Sequence, residues 1–242
     1  MNDKPLAEWS DSERIDTVKK IFNEITPDYD RMNRIMSARQ DVLWRKFLVK
    51  RIDKNAQNLL DVATGTGDIA LDLAKAFPTA QVIGSDFVRR MMDVALVKTG
   101  ERKLSDRVFY AAGDAMLLPF EDNLFDAATI AFGMRNIPNR LGALVEMARV
   151  VKPGGKVLVL EMTFPRNLRM RKFFFWYLNN IIPLLGRIIA RNNAAYSYLP
   201  ESIQGFLHPD ELSDLFTQAG MTEVRAFPLT FGITYLHEGV VV

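Results

Sequence analysis

Leu59-Leu-Asp-Val-Ala-Thr-Gly-Thr-Gly-Asp68 is the stretch of this 242-residue chain from which its architecture can be read. Residues 58–63 are an apolar run with the look of a buried strand. They lead into a turn holding two glycines. From Asp68 the apolar positions Ile69, Leu71, Leu73, Ala74 and Phe77 recur at helical spacing. Gly65 and Gly67 have no Cβ, so a ligand can approach the backbone closely. In an open α/β sheet small molecules sit at the carboxyl ends of the strands, near the point where strand order reverses. The strand–turn–helix unit therefore predicts both the fold class and the place of a small-molecule site.

The same grammar continues downstream. Strands are expected at 81–85, 107–111, 125–131 and 156–162, with helices at 89–98 and at 138–151, the latter stopped by Pro153-Gly154-Gly155. Strands alternating with helices imply a parallel sheet covered on both faces, with right-handed crossovers. Further on, a helix is expected at 209–219, ended by Gly220, and strands at 221–227 and 231–241. The expectation is an α/β, doubly wound, mostly parallel seven-stranded sheet.

Two segments stand outside that pattern. Residues 1–52 read as a helical N-terminal cap. Ile15, Val18, Ile21, Phe22 and Ile25 follow a helical period, Ser10 or Asp11 is placed to cap it, Thr26-Pro27-Asp28 breaks it, and short helices are expected at 31–36 and 41–51. Residues 164–205 read as a helical insertion of basic and apolar character. Positions 162–200 contain six Arg or Lys and no acid. The whole of 1–242 is expected to form a single domain.

Composition narrows the function classes. With 48% hydrophobic and 25% charged residues, the chain is an ordinary globular one. The net charge of +2 gives no case for nucleic-acid binding. No cysteine is present, which excludes disulfides, thiolate metal sites and a Cys nucleophile, and two histidines make a multi-His metal site implausible. Residues 1–13 are polar and lack the apolar core of a secretion signal, so a cytoplasmic location is expected. The apolar stretch 173–190 is too short and too interrupted, by Asn179, Asn180, Pro183, Gly186 and Arg187, to span a bilayer.

The glycine turn admits two readings. Gly65-Thr-Gly67-Asp-Ile-Ala70 fits a dinucleotide fingerprint, and Asp86 lies where such folds hold a ribose. Asp61 favours the other. A carboxylate at this strand end repels a pyrophosphate in a poorly solvated crevice, but suits a cationic ligand carrying an ammonium and a sulfonium. Asp61-x-Ala63-x-Gly65-x-Gly67 resembles the loop of class I methyltransferases, with Ala at the first Gly position. Gly113-Asp114-Ala115, the run Pro119-Phe-Glu-Asp-Asn-Leu-Phe-Asp126 and Arg149-Val-Val-Lys-Pro-Gly-Gly-Lys156 follow in that family's order.

Four further segments resemble one branch, the C-methyltransferases of menaquinone and ubiquinone biosynthesis: Phe22-Asn-Glu-Ile-Thr-Pro-Asp-Tyr-Asp-Arg-Met-Asn33, Phe132-Gly-Met-Arg-Asn136, Tyr196-Ser-Tyr-Leu-Pro-Glu-Ser202 and Thr230-Phe-Gly-Ile-Thr-Tyr-Leu-His-Glu-Gly239. The likeness runs over residues 18–240. Members commonly carry His at the position of Asp41, and Gly or Ser at those of Ala63 and Ala131. The resemblance implies S-adenosylmethionine as cofactor, held by Asp61, Gly65, Thr66, Gly67, Asp86, Phe87, Asp114 and Ala115. Asp86 would take the ribose hydroxyls and Asp114 would face the adenine amino group, while Phe87 lies against adenine or packs in the core. The implied reaction moves a methyl group to a ring carbon of a prenylated quinol, through a phenolate whose oxygen needs a nearby cation or donor.

Arg135, with Asn136 beside it, leaves the fourth strand at its carboxyl end and is the candidate for that work. The alternative is that it pairs with an acid and anchors the loop. Tyr29, Asp30 and Asn33, with Tyr196, Tyr198 and His237, are candidate substrate residues, each with a structural role as the alternative. The basic-apolar insertion would meet the isoprenoid tail and a membrane face, and alternatively would cover the core or form a homo-oligomer contact. Two other functions stay open on the sequence: methylation of another small acceptor, and cofactor binding without turnover. The ring type, the tail length and the base are left open as well.

Overall fold

The computed structural model describes residues 9–186 and 193–242, and of 193–197 the backbone only. A seven-stranded sheet runs through it. Its strands are β1 (Asn58–Val62), β2 (Gln81–Asp86), β3 (Val108–Ala112), β4 (Phe125–Ala131), β5 (Val151–Met162), β6 (Thr222–Leu229) and β7 (Thr234–Val240). They lie in the order β3-β2-β1-β4-β5-β7-β6. β1 to β5 pair in parallel, while β7 is antiparallel to both β5 and β6. Strand order reverses between β1 and β4, so the carboxyl end of β1 is the predicted ligand crevice.

Alternation along the strands builds two cores. Leu59, Leu158 and Leu160 face α3 (Gln40–Val49) and α4 (Asp68–Ala76), and Val82 joins the same cluster. Leu60, Val62, Val157 and Val159 face the opposite side, with α6 (Arg140–Val150) and α10 (Pro209–Gln218). Leu59 and Leu60 are fully buried on opposite faces, and truncating either to Ala would cost about 2–5 kcal/mol. The remaining cover of β2 and β3 is α5 (Arg89–Glu101).

A third core sits above the strand ends. It joins α1 (Asp11–Ile25) and α2 (Tyr29–Met36) to the insertion, which comprises α7 (Leu168–Trp176), a π-helical turn (Tyr177–Ile181), α8 (Ile182–Leu185) and α9 (Asn193–Gln204). Val18, Ile21 and Met32 pack there against Phe174, Leu178 and Ile182. Ser10 starts α1 through a capping box with Glu13, as its position before Asp11 predicts. This third core is the roof of the site.

Several expected boundaries shift. The helix expected to run to Val151 and stop at Pro153 ends at Val150, and residues 151–155 are already extended. Val151 pairs with Phe125, and Gly154 and Gly155 exchange backbone hydrogen bonds with Val241. The last strand begins at Thr234 rather than 231, because Thr230–Gly232 form a 3-10 turn with Phe231 at φ +57° and 79% exposed.

Candidate active site

Two cavities meet at the carboxyl ends of β1, β2 and β4. The smaller, about 90 Å³, is walled by Asp86, Phe87, Met91, Asp114, Ala115 and Asn136, among others. The larger, about 330 Å³, extends under the helical roof and is mainly apolar, with Met32, Met36, Trp44, Phe174, Leu178 and Ile182 in its wall. Phe22, Tyr29, Ala63, Gly65, Ala131 and Phe132 border both.

The glycine turn forms the partition. Gly65 has φ +55° and Gly67 +79°. A Cβ at Gly67 would come within 2.5 Å of the Tyr110 hydroxyl, whereas one at Gly65 would meet nothing within 4 Å. Gly67 is thus required by packing, and Gly65 leaves the backbone open to a ligand. Ala63 also has a left-handed φ, +49°, a conformation costing an L-residue about 1–2 kcal/mol. Its Cβ would lie 2.8 Å from one built on Gly133, so the Phe132-Gly133 turn of β4 needs its glycine because Ala63 stands opposite.

Asp86 ends β2 and accepts from the N–H of Gly65 (2.8 Å) and of Val88 (2.8 Å), which ties the turn to the second strand. Burial pushes its carboxyl pKa up, against those two N–H donors. Phe87 is 37% exposed beside the smaller cavity, with Asp114 and Ala115 across from it. The adjacency of these three fits a flat heterocycle. Asp114 also accepts from the N–H of Met116 (2.9 Å), holding its own loop.

Asp61 is 1% exposed and lines the larger cavity. Its two oxygens accept from the hydroxyls of Thr64 (2.6 Å) and Thr129 (2.9 Å). Burial pushes its pKa up to about 7, more than the two hydroxyls and a backbone donor pull it down. A neighbouring cation would ionise it fully.

Arg135 is buried in the wall of the larger cavity. Its Nη1 donates to Glu161 (2.6 Å) and to the Phe132 carbonyl (2.7 Å), and its backbone N–H donates to the same Glu161 carboxylate (3.1 Å). The anchoring alternative is therefore realised. Arg135 Nε, however, is buried with no hydrogen-bond partner among the described residues. The Tyr198 hydroxyl donates to Asn136 (2.9 Å), and Tyr198 lines the larger cavity while Asn136 lines the smaller. Tyr29 and Asn33 also reach the larger cavity, and burial raises the Tyr29 pKa.

The remaining candidates are placed differently. Thr66 is buried and donates to Asp30 (2.5 Å), and Asp30 in turn pairs with Lys98 (2.6 Å). Asp30 thus clasps α2 to the glycine turn and is not part of either cavity's wall. His237 lies on β7 between Phe216 and Tyr235, with Nε2 at 2.8 Å from the Pro209 carbonyl, and borders neither cavity. The alternation of β7 turns it toward α10, and burial pushes its pKa down to about 4. The Tyr196 side chain falls outside the described residues.

Sequence reading missed an ionic lattice. Asp41 is 4% exposed and pairs with Arg34 and with Arg45 (2.7 Å). Arg34 and Arg45 also reach Asp68 on α4 (2.5 and 3.1 Å), and Lys98 on α5 reaches Asp68 as well (2.6 Å). Burial works to raise the Asp68 pKa, but Arg45 and Lys98 hold it far below the carboxylate range. A carboxylate at position 41 neutralises two guanidiniums at once, which an imidazole would not do. Glu161, the partner of Arg135, was missed too. Its signal was only that it sits near the end of the strand beside β4.

The family model described as the ubiE/COQ5 methyltransferase family matches residues 9–241. The chain belongs to this family. Demethylmenaquinone methyltransferase of Anoxybacillus flavithermus is 42% identical over 228 residues, 92% of this chain and 94% of that protein. The ubiquinone/menaquinone biosynthesis C-methyltransferase of Geobacter sp. is 39% identical over 230 residues, 94% and 97% of the two chains. Among solved structures, a methyltransferase from Thermotoga maritima superposes with a TM-score of 0.64 at 20% identity, over 92% of this chain and 99% of that one. That likeness carries the fold. Membership makes the chain a methyltransferase.

Proposed function

We propose that this methyltransferase binds S-adenosylmethionine across the glycine turn and methylates a ring carbon of a prenylated quinol, demethylmenaquinol or its benzoquinol counterpart. The observation that carries the reading is the shared wall: a smaller and a larger cavity, both mainly apolar, have Ala63, Gly65 and Phe132 in common. The small cavity fits the adenosine half of the cofactor, with Asp86 for the ribose and Phe87, Asp114 and Ala115 around the base. Asp61, Gly65 and Thr66 fit the methionine half, and the open space above Gly65 gives it room, whereas Gly67, buried against Tyr110, borders neither cavity and serves only the turn.

The cofactor supplies an electrophilic methyl group on a sulfonium. The protein's own part is to bring a ring carbon to about 3–3.5 Å from that methyl and to hold it in line. Held so, the ring carbon would take the methyl with the S–CH₃ electron pair left on sulfur, and the ring proton displaced by the new C–C bond would pass to water. A phenol ionises near pH 10, so the oxygen beside the reacting carbon must be stabilised as it gains charge. Arg135, held by Glu161, supplies positive charge in the cavity wall. Asn136, Tyr198, Tyr29 and Asn33 supply hydrogen bonds that orient the ring. The apolar remainder of the larger cavity takes the start of the isoprenoid tail.

In this reading residues 1–52 and 164–205 are covers on a single domain, 1–242. A prenylated acceptor resides in a bilayer, so the reading entails a peripheral encounter with one. No helix among the described residues is long and apolar enough to cross a membrane. Incubation of the purified chain with S-adenosylmethionine and demethylmenaquinol, followed by mass spectrometry, should yield a product heavier by one CH₂. Cofactor binding with no methylation of either quinol would overturn the reading.

A further inference from the structure

The insertion helix α7 exposes what most helices bury. Leu168, Phe173, Phe175 and Trp176 are 69%, 56%, 49% and 51% exposed on a nine-residue helix. Scattered exposed apolar side chains are ordinary, but a cluster of this size marks an interaction surface. Arg169 and Lys172 project from the same side. Nearby Arg166 is paired with Asp210, whereas Arg169 and Lys172 have no ion-pair partner among the described residues. Beside them Phe164 and Phe175 line an open groove of about 430 Å³ with Arg171 and Lys172.

The inner side of the same helix belongs to the larger cavity. Phe174 is 3% exposed and lines it, as do Tyr177 and Leu178 just beyond. Phe173 both lines the cavity and stands 56% exposed, so its ring spans the wall. The wall continues into a π-helical turn, an irregularity often found at functional sites. It is tied to α2 by the Tyr177 hydroxyl, which donates to the Met36 carbonyl (2.7 Å).

We propose that the exposed face of α7 docks on an anionic phospholipid surface, and that the prenyl tail crosses from that surface into the cavity past Phe173 and the π-helical turn. The second half rests on the quinol reading. Charge singles out the partner. Of the chain's 31 basic residues six fall within positions 162–200, with none of its 29 acids, which leaves 25 bases against 29 acids elsewhere. Aromatic and cationic side chains interleaved on one helix face match the headgroup boundary of a bilayer, where the rings enter the acyl region and the cations meet phosphates. A second copy of the chain fits less well, because a two-fold contact would set this basic face against itself.

The test is co-sedimentation with phosphatidylcholine vesicles, with and without phosphatidylglycerol. The intact chain should bind the phosphatidylglycerol vesicles at low salt and leave them at high salt. Each cation near such a surface contributes about a fivefold gain in partitioning, so Arg169→Gln with Lys172→Gln should weaken binding roughly 30-fold. Phe175→Ser with Trp176→Ser should weaken it as well. Both double variants should lower kcat/KM for a long-tailed quinol presented in vesicles and leave that for a tail-free soluble quinol unchanged. Failure of the intact chain to bind, equal binding to both vesicle types, or a dimer abolished by the Phe175/Trp176 change would each overturn the docking proposal. Equal loss on both acceptors would overturn the tail route. Vesicle binding with no quinol methylated would count against the function and leave the docking face standing.

Discussion

Cofactor affinity should depend on pH through Asp61. In the protein alone this carboxyl is buried and its pKa is pushed up to about 7, yet the ligand assigned to it is cationic. Binding favours the ionised form, so below pH 7 part of the binding free energy goes into removing a proton. The weakening relative to the fully ionised limit is 1 + 10^(7 − pH), about 11-fold at pH 6 and about 1.3-fold at pH 7.5. S-adenosylmethionine should therefore bind about eightfold more tightly at pH 7.5 than at pH 6. The window stops there because the ligand's own α-amino group begins to titrate near pH 8. Calorimetry in buffers of different ionisation enthalpy should register close to one proton released at pH 6 and a fraction of one at pH 7.5. Asp61→Asn removes the titrating group while keeping an acceptor for one threonine hydroxyl, so its affinity should be lower at pH 7.5 and flat across the window. Wild-type affinity that is flat from pH 6 to 7.5, with no proton released, would refute the assignment of Asp61 to the cationic end.

Four other outcomes are expected. Arg135→Gln strips the buried Glu161 of its counter-charge and should cost about 3–5 kcal/mol in denaturant melts. Adding Glu161→Gln should restore most of that while turnover stays down about 100-fold, and recovery of turnover in the double variant would reduce Arg135 to an anchor. Ala63→Gly relieves a left-handed alanine but loosens the unfolded chain, for a net gain of about 0.5–1 kcal/mol; a lower Tm would show that the alanine methyl is needed for packing. The free protein should show opposed pH slopes: His237, neutral when buried, costs stability as pH falls from about 6.5 to 4, and Asp61, protonated when buried, costs stability as pH rises from about 4 to 7. Thermal melts of His237→Gln should accordingly lose the acid-side decline and leave the other slope exposed. Lys98→Met cuts the clasp on Asp30 and Asp68, and should raise the KM for both ligands severalfold while the core's denaturant midpoint moves little.

The central fold was legible because its signals are local. Residues 125–131 form the fourth strand as read, and Asp68 opens α4 directly after the two glycines. The helix after β4 starts at Arg140 rather than at Pro138, because the Asn139 side chain accepts from the Gly142 N–H and caps it there. The crevice was legible too, since strand ends and a glycine turn specify where a cavity opens. What stayed hidden depends on pairs far apart in the chain. Lys98 meets Asp30 across 68 positions, and Arg34 meets Asp68 across 34, so no periodicity or motif reports them. Arg135 and Glu161 are 26 apart and become neighbours only once β4 and β5 are known to be adjacent. The side to which His237 turns was hidden for the same reason. A strand's alternation tells that it faces one side, but not whether that side is the cleft or α10.

Tyr29 touches both chambers, and the helix it begins is tied by Asp30, Arg34 and Lys98 to the very elements that present the glycine turn. With donor and acceptor in the two chambers as proposed, both would lie under one ceiling, and lifting it to let a spent cofactor go would also uncover the acceptor's berth, so exchange of the two ligands would be mechanically linked.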